Sequence, residues 1–364
     1  MNLVKNILSM EEKLIECGRC LFTSEIAKIH EDGICEYCRI HDSLEKQSPP
    51  AELNRQLNKI RKKKGKYNCL VGLSGGKDSA VLLYTAVKKW GLRPLVIHFD
   101  NGWNNETAKQ NMENSVKSLN VDIINYKVNK HEYDTLNEAF LFAGVPDADI
   151  PNDIAMTKLM YETADKYGIK YILNGHDFRE EGSTPRGWTY MDAEYIRSVY
   201  RFYTNTEIKD YPLFTFKDQI IYSLKGIKNI RPFHYMPNRE YLTKEMIEFC
   251  DWRSYGAKHC ENIYTEFVGS FLLPNKFKID KRIVYLSALV RSGKMDKELA
   301  RKEFEYKAPI DMAKFKGIYL SLISDVKRTH KDFKTYNFKK LRLIIWIMAK
   351  MKIVPWTFFV KYCK

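Results

Sequence analysis

No stretch of the 364-residue chain holds about eighteen consecutive apolar residues, the length a helix needs to cross a bilayer, so no transmembrane span is expected. The opening residues, MNLVKNILSMEEKLIEC, are too charged for a secretory signal, and a cytoplasmic location is expected. Two common nucleotide spacings are missing from the one glycine-rich stretch around Gly75. It has neither the Gly-x-x-x-x-Gly-Lys of a P-loop nor the Gly-x-Gly-x-x-Gly of a dinucleotide fold. Cysteine is scarce in the middle of the chain. Of eight, only Cys69, Cys250 and Cys260 lie there, with no Cys-x-x-Cys among them, so the core offers no obvious persulfide or iron–sulfur ligand set. No glutaminase is recognisable: residue 2 is Asn2, and no cysteine sits in a nucleophile elbow with downstream His and Glu.

What is there begins with charge. The net charge of +15 is concentrated in two segments. Residues 327–364 hold eleven Lys and Arg against one acid, and residues 42–66 hold eight against three, while the centre is balanced. RNA, an acidic partner or an anionic membrane surface would each suit such segments, and a solvated basic face is the commonest explanation.

Cys17-Gly-Arg-Cys20 and Cys35-Glu-Tyr-Cys38 are two chelating knuckles fourteen residues apart, and four thiolates complete a closed tetrahedron, so a structural Zn²⁺ is expected. His30 and His41 flank the knuckles and are left outside the ligand set. Residues 1–45 are read as this zinc module and residues 46–66 as a linker, with Ala51 to Lys64 an exposed basic helix after the Ser48-Pro49-Pro50 break. From Tyr67 strands alternate with helices: strands at Tyr67–Leu73, Pro94–Phe99, Val121–Val128 and Tyr171–Leu173, helices at 77–90, 105–119, 131–142 and 152–167. That alternation predicts an α/β domain over 67–245 built on a doubly wound parallel sheet, its ligand site at the strand C-terminal ends, followed by a mainly helical region over 246–364. Asp192 opens a further helix after an irregular segment rich in glycine and aromatics.

The chain is organised around Leu70 to Ser79, LVGLSGGKDS, a strand, a turn and a helix start. Gly75 and Gly76 allow close backbone approach, Ser74 and Ser79 supply hydroxyls, and the first N–H groups of the helix point at whatever anion sits there. Ser74-Gly75-Gly76-Lys77-Asp78-Ser79 resembles the Ser-Gly-Gly-x-Asp-Ser pyrophosphate loop of the ATP pyrophosphatase superfamily at every fixed position. The resemblance implies ATP cleaved to AMP and pyrophosphate, an ATP site of Leu73 to Ser79 with Phe99, Asp100, Asn174, Gly175 and His176, and Mg²⁺ on the phosphates. Asp78 and Asp177 are the candidate Mg²⁺ ligands, with Glu180 and Glu181 behind them.

A second cluster, Tyr255-Gly-Ala-Lys-His-Cys-Glu261 through Asp280-Lys281-Arg282, sets charged groups between apolar patches, which suits an anionic, hydroxyl-rich ligand. With the cysteine knuckles, His98 to Trp103 and Asn174 to Asp177, this cluster makes the chain up to about Arg301 resemble the N-acetyl sugar amidotransferases of lipopolysaccharide O-antigen and flagellin-glycan biosynthesis, the WbpG and PseA type. The resemblance implies conversion of a sugar acetamido group to an acetamidino group, with Lys77, Asp78, His176, Lys258, His259, Lys281 and Arg282 as catalytic candidates. Cys260 stands where an aromatic residue is expected, which argues against a catalytic thiol. A nucleotide-linked or nonulosonic sugar is the implied substrate, and a separate glutaminase with a cyclase-like ammonia-channelling subunit are the implied partners. The rival reading is a tRNA thiolase, which shares the ATP loop and would suit the basic charge; no nucleic-acid partner is expected on the amidotransferase reading. The C-terminal Phe338 to Lys364 reads as a helix packed on the domain with a basic outer face, with peripheral membrane contact as the alternative.

Overall fold

Five short strands pair in parallel, and the central three, Cys69–Gly72, Pro94–Asp100 and Tyr171–Leu173, are largely buried, as expected for segments that helices cover on both sides. The structure is a computed structural model and describes residues 14–363 apart from 186, 187, 189, 308, 316, 317 and 319–332. The chain divides into two units. One comprises Met1–Pro49, His176–Arg186 and Asp280–Pro309, the other Pro50–Gly175, Gly187–Ile279 and Ile310–Lys364.

The larger unit holds the sheet, of order β3-β2-β1-β4-β5, with β1 Cys69–Gly72, β2 Pro94–Asp100, β3 Ile123–Lys127, β4 Tyr171–Leu173 and β5 Lys228–Ile230. Connections run outward from β1 to β3 on one side and to β4 and β5 on the other, so the order reverses between β1 and β4. The crevice at that reversal is where a doubly wound sheet binds ligands. Successive β1 residues feed opposite layers. Cys69 and Val71 pack with α2 (Pro50–Arg61), α3 (Lys77–Tyr84) and α9 (Glu240–Cys250), while Leu70 packs with α6 (Ile150–Lys166) and α8 (Phe216–Leu224). A third cluster joins α5 (Lys130–Ala143), α7 (Ala193–Thr204) and α10 (Ile263–Glu266), whose π-helical continuation spans Phe267–Phe277.

Two local expectations change. The helix over 51–64 is not simply exposed: Leu53, Leu57 and Ile60 recur at helical spacing and are buried against the sheet layer, while its lysines and arginines cover the other side. The C-terminal helices carry exposed large apolar residues beside the expected basic ones, described below. Asp192 caps α7, its side chain accepting from Tyr195 N–H at 2.7 Å.

The smaller unit is built from α1 (Glu36–Gln47), the cysteine knuckles, residues 176–185 among those described, and the pair α11 (Arg282–Arg291) and α12 (Lys297–Glu305). Leu21 N–H donates to Ser287 Oγ, Lys297 Nζ to the Cys17 carbonyl, and Arg301 to Glu16 at 2.7 and 2.9 Å, tying knuckles to helices.

Candidate functional site

β1 runs out at Gly72 and the chain turns through Ser74 to Ser79 into α3. Gly75 has φ +83°, and a Cβ there would lie 2.3 Å from the Ala108 carbonyl oxygen, so only glycine fits. The turn is wired to itself: Gly76 N–H donates to Ser74 Oγ at 3.2 Å, Ser79 Oγ to Gly76 O at 2.9 Å, and Ser74 N–H to Ser79 Oγ at 3.3 Å. Gly76 precedes α3 with extended backbone and no capping side chain; Lys77 N–H donates to Tyr255 Oη at 3.4 Å, and a helix start of this kind suits an anion. Gly175, after β4, approaches the start of α3 so closely that a Cβ would sit 3.1 Å from the Asp78 carbonyl oxygen.

The segment after α9 forms the facing wall. Trp252 Nε1–H donates to Gly75 O at 3.3 Å, and Asn111 and Arg253 exchange two 2.8 Å hydrogen bonds. Asn105 caps α4 (Glu106–Leu119) and donates from Nδ2 to the Cys260 carbonyl at 2.7 Å, while its N–H donates to the Glu261 carbonyl at 3.0 Å. Asn262 donates to Asn101 Oδ1 and Asn104 Oδ1, and Ile263 N–H to Trp103 O. The loop after β2 is therefore sewn to residues 260–263. These asparagines and Trp252 were given no role from sequence, and Glu261 was marked only as a member of the Tyr255 to Glu261 cluster. Their only signal was the density of amide side chains at 101, 104, 105 and 262.

Glu261 is the most informative of them. Its Oε1 lies 2.8 Å from the position a Cβ on Gly76 would take, so its carboxylate sits in the space that this glycine leaves open. Its Oε2 is buried without a hydrogen-bond partner, and so is Asp78 Oδ1. Burial above all, and the nearby Asp78 carboxylate, push the Glu261 carboxyl above the usual range. Lys258 Nζ stands 3.9 Å from Asp78 Oδ2. Two half-buried carboxyl groups, each with an orphaned oxygen, beside a phosphate-type turn form the donor set expected for a divalent cation shared with phosphates.

The other candidates of the larger unit are placed differently. Phe99 packs against Tyr126 and Tyr133 in the core, and Asp100 Oδ1 accepts from Gly102 N–H at 3.0 Å, shaping the turn after β2. Asn174 N–H donates to Ile230 O, holding β4 to β5. His98 is buried with Nδ1 2.8 Å from Leu73 O, and burial lowers its pKa. His259 is exposed, with φ +65°. The Cys260 thiol is pushed up to about 11, chiefly by burial, and Cys69 to about 12 for the same reason.

His176, Asp177, Lys281 and Arg282 belong to the smaller unit. Asp177 is fully buried and accepts from Arg179 N–H at 3.1 Å; Arg179 itself forks onto Glu45 at 2.6 and 2.5 Å. Arg282 is engaged with Asp280 and with the carbonyls of Glu303, Phe304 and Tyr306, where it closes the C-terminal end of α12. Lys281 precedes α11 and is half-buried.

In the same unit the sulfurs of Cys17, Cys20, Cys35 and Cys38 lie within 4.8 Å of one another, all buried. Three of their separations are 3.6, 3.7 and 3.8 Å. A tetrahedron of thiolates about 2.3 Å from a central zinc has edges of about 3.8 Å, so the four fit a metal of that kind. Arg291 Nη2 donates to Cys20 Sγ at 3.2 Å, its guanidinium lies 4.5 Å from the Phe22 ring centroid, and its carbonyl accepts from Arg19. A buried cation is thus placed against the thiolates, whose combined charge exceeds that of a divalent ion. His41 is no ligand: it stacks edge-on with Phe178 and lies 3.6 Å from Glu45.

Residues 49–143 match the PP-loop domain, and residues 261–348 match the family described as LPS biosynthesis protein WbpG-like, C-terminal domain. An uncharacterized protein of Methanocaldococcus jannaschii, MJ1599, is 24% identical over 299 residues, covering 80% of this chain and 93% of that one. Among solved structures, NMN synthetase from Francisella tularensis is similar at 16% identity, over 60% of this chain and 92% of that chain, with TM-score 0.28. The U34-tRNA thiolase NcsA from Methanococcus maripaludis, solved with its [4Fe-4S] cluster, is similar at 11% identity, over 78% and 88%, with TM-score 0.32.

Proposed function

We propose, from the two matches that make the chain a WbpG-type member of the PP-loop superfamily and an ATP-using enzyme, that it converts the acetamido group of an acetamido sugar to an acetamidino group. The observation that carries this reading is the meeting of the two matched segments. Glu261, where the WbpG-like segment begins, occupies the space over Gly76 in the pyrophosphate loop. An acceptor-side segment built into the phosphate turn is what a transfer of AMP to the acceptor requires.

An amide is a poor electrophile because nitrogen donates into its carbonyl. Attack of the amide oxygen on the α-phosphate of ATP releases pyrophosphate and leaves an O-adenylyl imidate; ammonia then adds to the activated carbon and AMP departs. The N–H groups of the turn and Lys77 stabilise the charge growing on pyrophosphate, with no covalent bond to the protein. Lys258, beside Asp78, contributes a second cation to the same region. Asp78 Oδ1 and Glu261 Oε2 are the oxygens that would hold Mg²⁺, which when bound neutralises phosphate charge. Glu261 thus joins Asp78 in the ligand set, whereas Asp177 is already engaged by Arg179. The four cysteines would hold a structural Zn²⁺. Ammonia would come from a separate glutaminase through a cyclase-like subunit, the partners that the resemblance to the sugar amidotransferases implies.

Thiolation is disfavoured by the cysteines of the larger unit. Cys69 and Cys250 are buried, and Cys260 has a raised pKa, the opposite of an activated thiol. The test is mass spectrometry of UDP- and CMP-linked acetamido sugars incubated with the protein, ATP, Mg²⁺ and ammonium. The expected result is a product one mass unit lighter, oxygen replaced by NH, formed with pyrophosphate. Consumption of ATP with tRNA and a sulfur donor, but with none of the sugars, would overturn the proposal.

A further inference from the structure

The helices α13 (Arg342–Lys350) and α14 (Trp356–Tyr362) turn two unlike faces outward and inward. Inward, Ile345, Ala349, Val354 and Phe359 form a small core with Phe216, Phe338 and Phe358. The pair is pinned there by polar contacts: Phe338 N–H donates to Tyr362 O at 2.9 Å, Tyr362 Oη to Asp192 Oδ2 at 3.0 Å, and Gln219 and Ser223 both donate to Ile353 O. All of these groups belong to the larger unit. The pair is therefore held without help from its outer residues.

That outer side is apolar. Leu343 is 70% exposed, Met351 66%, Ile344 54% and Trp356 49%, with Leu341, Ile347 and Trp346 each at 40% or more. Around them stand Lys339, Lys340, Arg342, Lys350 and Lys352, and Lys350 Nζ lies 5.6 Å from the Trp346 ring centroid and 5.3 Å from that of Trp356. Residues 333–363 contain seven Lys and Arg and not one Asp or Glu. Seven large apolar side chains left in water on an anchored hairpin demand a partner.

We propose that this hairpin is a membrane-interface element that seats the protein on an anionic bilayer. The helices are nine and seven residues long, and no described helix is long and apolar enough to cross a membrane, so the hairpin lies in the interface plane. Its leucines and isoleucines enter the acyl boundary, its tryptophans sit at headgroup level, and its lysines reach lipid phosphate, each cation adding about fivefold to partitioning. A second copy of the chain fits poorly, because a two-fold contact would press the five cations around this face against five, with no Asp or Glu among residues 333–363 to separate them.

The test uses the full chain and vesicles of phosphatidylethanolamine with phosphatidylglycerol, against neutral phosphatidylcholine, read by co-sedimentation at low and high salt. Binding to the anionic vesicles, weakened by salt and at least about tenfold weaker to neutral ones, is expected. Leu343→Asp with Ile347→Asp should lower vesicle binding by about tenfold or more, with an unchanged melting temperature because both side chains are exposed. Lys339→Ala with Lys340→Ala should lower it while leaving residual binding less sensitive to salt. Absence of vesicle binding by the intact chain overturns the proposal. So does binding that the apolar double variant leaves intact, or lipid-free self-association that the same variant abolishes.

Discussion

At the scale of residues, the decisive group is Glu261. A carboxylate buried beside Asp78 with an oxygen left unpaired is costly in the unliganded protein, which a local function would justify. Replacement Glu261→Gln should therefore act in opposite directions on stability and activity. The unliganded variant should gain about 1 kcal/mol, seen as a higher melting temperature, while Mg²⁺-dependent pyrophosphate release should fall about tenfold or more. Lower stability with undiminished activity would show the carboxylate to be a structural group. Arg291 is the counterpart in the smaller unit. Its guanidinium faces Cys20 Sγ from a buried position, so Arg291→Met should weaken metal retention about ten- to a hundredfold in competition with a chromophoric chelator. Arg291→Lys, which keeps the charge and loses the fork, should fall between the two.

At the scale of elements, the strand-turn-helix unit works because two backbones approach without side chains. Gly75→Ala meets both a left-handed φ and the Ala108 carbonyl, whereas Gly226, φ +71°, has open space around it. Gly226→Ala should cost about 1 kcal/mol for the conformation alone. Gly75→Ala should cost more and remove most ATP-dependent turnover, because α4 or the turn must shift. Equal melting temperatures and equal turnover in the two variants would remove the close approach from the account. The alternation of apolar segments already made β1, β2 and β4 legible, since strands buried on both faces and bounded by glycine or a helix cap have few other readings. The exposed reading of Ala51 to Lys64 went astray because its six lysines and arginines outnumber its four apolar residues. Only the spacing of Leu53, Leu57 and Ile60 marks the face that packs.

At the scale of the whole molecule, each unit holds a buried histidine whose pKa burial lowers, His98 in the larger and His41 in the smaller. The smaller contains His41, whose pKa burial lowers from 6.5 to about 4. A depressed folded-state pKa means that the stability of the neutral, buried ring is present above 6.5 and is lost as pH falls towards about 4, up to about 3 kcal/mol. Hydrogen exchange of α1 should accordingly accelerate between pH 6.5 and 4. In His41→Gln the same amides should show a shallower pH slope, although the variant starts less stable. An unchanged slope would place the acid sensitivity elsewhere.

Local sequence by itself determined four of the five parallel strands and the order of their helices, the glycine turn after β1 and the four-cysteine cluster. Each of these depends on spacing within a few tens of residues, where sterics and ligand geometry leave little freedom. Residue type alone also marked Tyr255 to Glu261 as chemistry-bearing, but not which atom there matters. Tertiary structure decided that. It set Glu261 over Gly76, spent Arg282 on the end of α12 and Phe99 on the core, and gathered residues 17–38 with residues 282–305 around one group of thiols. It also turned the apolar side of the C-terminal hairpin outward. These outcomes depend on which distant backbone comes to lie beside a given side chain. A charge or an amide carries no record of that partner until the chain has folded around it.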